Sequence, residues 1–179
     1  MGKNIVVLSG SPRQNGTTDV LAAALTEGAE AAGNAVACFR TADLTIGACL
    51  GCGQCFKNTG ICVQKDGMLP ILEKLREADV LVLASPVYFF GFTAQLKCVI
   101  DRTYALLKEG THIKRAALLV TCGGSTDAAA ASVLSTFRQI AGYQGWEEAG
   151  TVVVPGLHRR ADIEGREELE QARKLGAGL

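Results

Sequence analysis

Apolar residues along this chain gather in short unbroken runs. Ile5-Val6-Val7-Leu8 lies within Asn4–Ser9, Val80-Leu81-Val82-Leu83 within Asp79–Ala84, and Ala116 to Val120 within Lys114–Thr121. Apolar at every position, such runs suit strands buried on both faces of a parallel sheet. Ala35–Arg40 and Glu148–Val154 are read as strands two and five of the same set. Helical patterns fill the gaps. The first spans Thr17 to about Ala32, with Val20, Leu21, Ala24 and Leu25 on one face and Gly33-Asn34 as its stop. Others cover Met68–Glu77 (Asp66 as cap, Pro70 in the first turn), Ala94 to about Lys108, and Ala128–Gly142. The last runs from Asp162 to Leu175, with a Glu170–Lys174 pair and Gly176 as its stop. Five strands alternating with helices predict an α/β fold, an open parallel sheet covered by helices on both faces.

At 179 residues the chain reads as a single domain, 1–179, long enough to bury one core. The connection from about 41 to 67 has no sustained period and is long for a compact domain, so it reads as an insertion with a function or an internal staple. Hydrophobic residues make up 48%, which excludes disorder. Basic and acidic residues balance at 18 each, so no net charge draws the chain to nucleic acid or an anionic membrane. No apolar run approaches the roughly 20 residues of a membrane span, and the first residues do not resemble a signal peptide. The expected location is cytoplasmic. Seven cysteines in a reducing compartment are read as metal, redox or core residues before disulfides.

In open parallel sheets ligands bind beyond the carboxyl ends of the strands. Three loops predicted there carry unusual residues. Ser9 to Thr18 joins strand one to helix one and gathers Ser11, Arg13, Asn15, Gly16, Thr17 and Thr18 at the helix start. Unpaired N–H groups and the positive dipole end favour a phosphate there; an ordinary turn with a Thr N-cap is the alternative. The stretch lacks the lysine of a Walker A loop, and Pro12 breaks the dinucleotide glycine pattern, which leaves a monophosphate grip. The second loop, 85–93, holds Tyr88, Phe89, Phe90 and Phe92. The third, 121–127, holds Gly123 and Gly124, where a flat ligand can approach the backbone. Together they suggest a phosphorylated aromatic cofactor, with aromatic core over the sheet end as the alternative.

Cys49, Cys52, Cys55 and Cys62 form Cys-x2-Cys-x2-Cys-x6-Cys. Thiolates at successive x2 intervals can each reach a different iron of one cluster, which favours [4Fe-4S]. Structural zinc sites separate two Cys-x2-Cys knuckles by a longer spacer; bound zinc, a labile disulfide or free thiols remain open. The cysteine loop leaves strand two at the same rim as the phosphate loop, so the two sites are expected to be near each other. Cys38 and Cys98 read as small core residues, and Cys122 either as a turn residue or as facing the cofactor. His158-Arg159-Arg160 reads as a solvated basic spot, or as a contact for an acidic partner or a cofactor phosphate.

Gly10-Ser-Pro-Arg-x-Asn-Gly-Thr-Thr18, the cysteine run ending Cys62-x3-Asp66-Gly-Met68, and Ser85-Pro-Val-Tyr-x-Phe-Gly, continuing to Ile100-Asp-Arg102, resemble the flavodoxin-like NADPH-dependent FMN reductase superfamily. The compact cysteine motif is similar to that of its iron–sulfur flavoproteins. The resemblance implies a flavodoxin-like sheet of order 2-1-3-4-5 and FMN, with phosphate on loop 9–18 (Ser9 included). The flavin ring would lie between Pro86, Val87, Tyr88, Phe89 and Gly91 on one side and Cys122, Gly123 and Gly124 on the other. It also implies a homo-oligomer, dimer or tetramer, and electron transfer between a [4Fe-4S] cluster and FMN, fed by a ferredoxin-like donor and leading to a small-molecule acceptor. Two rival functions stay open: an NAD(P)H-dependent FMN or quinone reductase with structural, redox or zinc-bound cysteines, and a flavodoxin-like electron carrier that is not an enzyme. No side chain reads as an acid–base catalyst.

Overall fold

The computed structural model describes residues 2–179. Five parallel strands, β1 (Asn4–Ser9), β2 (Ala35–Arg40), β3 (Val80–Pro86), β4 (Arg115–Thr121) and β5 (Glu147–Val154), form one sheet in the order β2-β1-β3-β4-β5. The helices are α1 (Thr17–Ala31), α2 (Gln54–Lys57), α3 (Met68–Glu77), α4 (Ala94–Arg102), α5 (Ala131–Gln144) and α6 (Glu167–Ala177). The predicted class, strand count and order are all found.

Strand periodicity explains the layering. Successive side chains point to opposite faces. Val6 and Leu8 of β1, Leu81 and Leu83 of β3, and Ala116, Leu118 and Val120 of β4 therefore meet α3, α4 and α5. Ile5 and Val7, Val80 and Val82, and Ala117 and Leu119 face α1 and α6 on the other side. β1, β3 and β4 are buried on both faces and read as continuous apolar runs, whereas the edge strand β2 is only half-buried.

Several boundaries differ from the sequence expectation, each for a local reason. The helix from Ala94 ends at Arg102 and passes into a 3₁₀ turn over Thr103–Leu107, where the Thr103 hydroxyl donates back to the Ile100 carbonyl at 2.7 Å. The helix expected from Ala128 begins with a 3₁₀ turn, Asp127–Ala130, and runs on to Gln144, stopping at Gly145 with φ +70°. The last helix starts at Glu167, because Asp162 instead accepts the His158 and Arg159 N–H groups and Gly165, at φ +72°, turns the chain. Gly176 does not stop it. A Cβ there would overlap the Leu25 carbonyl of α1, and one at Gly28 would overlap the Arg173 carbonyl, so two glycines let α1 and α6 cross in backbone contact. Glu170 pairs with Arg173 at 3.8 Å rather than with Lys174. Cys38 is exposed on the edge strand and Cys98 half-buried, so neither is the core residue expected.

Candidate functional site

The loop after β1 is built for close approach. Gly10 N–H donates to the Ala84 carbonyl at 2.8 Å, and the Gly10 carbonyl accepts from Thr93 Oγ1 at 2.7 Å. A Cβ at Gly10 would lie 2.7 Å from both the Thr93 hydroxyl and Leu96, so only glycine fits between α4 and the sheet. Asn15 takes a left-handed turn (φ 53°) before the chain enters α1. The N-cap of α1 is Gly16, and no side chain caps the helix. The Thr N-cap alternative is thereby corrected: Thr17 and Thr18 are in the first turn, and the start of α1 keeps main-chain N–H groups for a ligand. By contrast, Thr93 caps α4 by accepting from Leu96 N–H.

These residues wall a cavity of 570 Å³. One wall is Ser11, Arg13, Gln14, Asn15, Gly16, Thr17 and Thr18; a second is Pro86, Val87 and Tyr88; a third is Thr121, Cys122 and Gly123. Leu157 to Arg160 complete it. All three predicted rim loops thus converge. Ser11 is buried, and its Oγ accepts from Arg13 N–H at 3.2 Å, bracing the loop. Thr18 Oγ1 and Thr121 Oγ1 are 2.7 Å apart, tying the start of α1 to the end of β4. Burial first, and then the charge of Asp127, push the Cys122 thiol upward, so at neutral pH it is a neutral small group in the wall.

Four predicted site residues do not line this cavity. Ser9 donates to Asp19 Oδ1 at 2.9 Å and so orders the first turn of α1 from beneath. Asp19 also pairs with Arg40, which sits against Asp43 at 2.8 Å as well. The negative charge at the helix start is thereby matched and does not repel an anion. Phe89 and Gly91 lie outside the wall: Phe89 is 99% exposed, and the Tyr88–Gly91 bridge turns through Phe89 and Phe90, both at positive φ. Gly124 stands behind the wall, its carbonyl accepting from Gly156 N–H at 2.7 Å.

The 157–160 segment is the part that sequence reasoning underrated. Leu157 N–H donates to the Cys122 carbonyl at 2.9 Å, and Asp162 Oδ2 receives the His158 and Arg159 N–H groups at 2.8 and 2.7 Å. These hydrogen bonds hold the Asp162 carboxyl below the usual range. The signal was topological: β5 ends at the same rim as β1, β3 and β4, so its outgoing loop had to reach the same opening.

The four motif cysteines line a second cavity, of 460 Å³, together with Asp101, Arg102 and Tyr104. Gly51 and Gly53, at φ +62° and +65°, turn the backbone between the cysteines. Among the described residues, no three His, Cys, Asp or Glu side chains come together as a metal ion would need. The donor chemistry of four cysteines around one cavity suits a thiolate-bound group. The two cavities have no lining residue in common. The second includes Asp101 and Arg102 at the end of α4, and no residue of that helix lines the first.

Residues 3–157 match the family of NADPH-dependent FMN reductases. The chain belongs to that family. Among curated relatives, an iron–sulfur flavoprotein from Methanocaldococcus jannaschii is 38% identical over 57% of this chain and 52% of its own length. A second from that organism is 33% identical over 73% of this chain and 67% of its own length. An iron–sulfur flavoprotein from Methanosarcina thermophila is 32% identical over 68% of this chain and 63% of its own length. The chain spans about half the length of the first of these relatives. In fold it is similar to an NAD(P)H:quinone oxidoreductase from Methanothermobacter marburgensis, at TM-score 0.75 and 18% identity over 99% of this chain and 96% of the other. It is also similar to an azoreductase from Bacillus anthracis, at TM-score 0.76 and 18% identity over 99% and 100% of the two chains. No helix among the described residues is long and apolar enough to cross a membrane.

Proposed function

We propose that this FMN reductase family member binds FMN in the 570 Å³ cavity and an iron–sulfur cluster at Cys49, Cys52, Cys55 and Cys62, and that it moves electrons between a ferredoxin-like protein and a small acceptor. The observation behind the flavin assignment is the uncapped start of α1, which opens onto a wall of hydroxyl, amide and guanidinium donors. The Thr17 hydroxyl and the main-chain N–H groups of the loop and of the first turn of α1 offer donors to a terminal phosphate, and Arg13 offers charge. Val87, Tyr88, Cys122 and Gly123 form an apolar, small-residue cleft suited to a planar ring. When bound, flavin exchanges one or two electrons and an iron–sulfur cluster exchanges one, which matches single-electron donors to two-electron acceptors. The protein's part is to bind, orient and exclude water, and no side chain is assigned a proton transfer. Exposed Phe89 and Phe90 beside the opening suit cover by a second copy of the chain in a homo-oligomer.

A second reading rests on Arg159 and Arg160 at the cavity edge. Two cations there suit the phosphates of a nicotinamide dinucleotide, as in an NAD(P)H-dependent FMN or quinone reductase. Anaerobic purification followed by flavin, iron and sulfide analysis tests the assignment. FMN near one per chain with iron and sulfide near four each supports it; no iron under those conditions overturns the cluster. Stopped-flow bleaching of bound FMN by NADPH, set against reduced ferredoxin, separates the two readings.

A further inference from the structure

Arg102, the last residue of α4, is 2% exposed and lines the cysteine cavity. A guanidinium stays charged in a protein, so burying one requires acceptors. Every acceptor it finds comes from the cysteine segment. Nη1 donates to Asp66 Oδ2 at 2.5 Å and to the Gly47 carbonyl at 3.1 Å. Nη2 donates to Cys62 Sγ at 3.5 Å and to the Gln64 carbonyl at 3.4 Å. Nε is buried with no acceptor among the described residues. Asp66 also accepts from Gly47 N–H at 2.9 Å and Met68 N–H at 3.1 Å, closing the segment on itself. One planar fork thus grips both ends of the run from residue 47 to residue 66, and the point charge of a lysine has no equivalent geometry.

We propose that Arg102 is the positioning residue of the cysteine cavity. It presets the 47–66 segment and supplies Cys62 with a charged N–H donor for a thiolate-bound iron–sulfur group, a role that rests on the cluster assignment above. The segment's other ties are local: Arg76 Nη2 donates to the Gly60 carbonyl at 2.9 Å, Gln64 Nε2 to the Ala48 carbonyl at 3.1 Å, and Phe56 lies 4.7 Å from Tyr104, ring centre to ring centre. Leu50, Ile61 and Val63 are exposed, and the four-residue helix α2 buries none of its residues. A donor and a positive charge beside a cluster sulfur stabilise the more negative, reduced state and raise the reduction potential.

The test uses the whole chain as wild type, Arg102→Lys, Arg102→Met and Asp66→Asn. In metal-free protein, hydrogen exchange over residues 47–66 should accelerate about tenfold or more in Arg102→Met and in Asp66→Asn, since each breaks a largely buried ion pair. Flavin content should stay unchanged. After anaerobic reconstitution, iron per chain should fall in Arg102→Met and recover in part in Arg102→Lys. The cluster potential of Arg102→Met should lie below that of Arg102→Lys, a shift that a purely structural role would not produce. Wild-type exchange in both Arg102→Met and Asp66→Asn overturns the positioning role, and Asp66→Asn alone decides it if Arg102→Met does not fold. Equal potentials overturn the donor role. If wild type takes up no iron, the cluster assignment fails and the donor role falls with it, while exchange still decides whether Arg102 orders the segment.

Discussion

Thr18 and Thr121 are each 1% exposed, and their hydroxyls lie 2.7 Å apart in the lining of the 570 Å³ cavity. Replacing Thr18 with the near-isosteric valine leaves the Thr121 hydroxyl buried without its partner, at a cost of about 1–3 kcal/mol. Replacing both removes the polar pair and is nearly neutral. The expected series is therefore non-additive: Thr18→Val and Thr121→Val each lose about 2 kcal/mol, and the double variant loses much less than their sum. For a chain of this size that single loss lowers Tm by roughly 4–8 °C. Urea unfolding of the flavin-free protein, followed by circular dichroism, measures all three variants. Simple additivity would refute the claim that each hydroxyl chiefly serves the other. Flavin titration adds a second arm. Because Thr18 Oγ1 is engaged with Thr121, Thr18→Val should weaken FMN binding less than about tenfold. A larger loss would mean that this hydroxyl bonds the phosphate directly.

Four further outcomes are expected. Gly176→Ala should destabilise by about 3 kcal/mol or more in the same urea assay, because the clash is with the Leu25 backbone and no side chain can yield. Burial works to raise the Asp66 carboxyl, but hydrogen bonds from Arg102, Gly47 and Met68 outweigh it and hold the group below the usual range. Its stabilisation is thus fully present above the unfolded value near ~4 and is lost as pH falls through the lower folded value. Exchange over residues 47–66 should accelerate in that acid window in wild type and show no such step in Asp66→Asn. Cys52→Ala should lose iron while retaining FMN, as read by iron analysis and flavin absorbance; loss of both would mean that the cysteine segment also supports the flavin cavity. Arg159→Gln should weaken binding of a phosphorylated ligand most at low salt and flatten its salt dependence, and a salt dependence equal to wild type would remove Arg159 from the site.

The sheet was legible because β1, β3 and β4 are buried on both faces and carry that burial as unbroken aliphatic runs. The edge strand β2 gave a weaker signal, and there Cys38 was misread as core. The rim loops were legible through composition, Gly10 to Thr18 above all. What sequence could not show was which polar groups are already spent. Ser9 satisfies Asp19, and Thr18 satisfies Thr121, pairings across ten and 103 positions of chain that no local pattern encodes. Arg102 was missed for the same reason. An arginine within an expected helix normally reads as a solvated charge, and only the fold brings residues 47, 62, 64 and 66 around it.

α4 links the loop after β1 to the cysteine segment. At its start, the Thr93 hydroxyl caps the helix and donates to the Gly10 carbonyl in the loop after β1. At its end, Arg102 grips the cysteine segment. Between them Leu96 and Val99 are fully buried, which fixes the helix against the sheet. Packed interiors resist small displacements, so the two anchors keep a set separation and orientation. A loop alone would leave the cysteine segment free to drift relative to the loop after β1. Tied at Arg102 to a helix whose other end is tied to Gly10, the cysteine segment is held in register with the loop after β1 by the core itself.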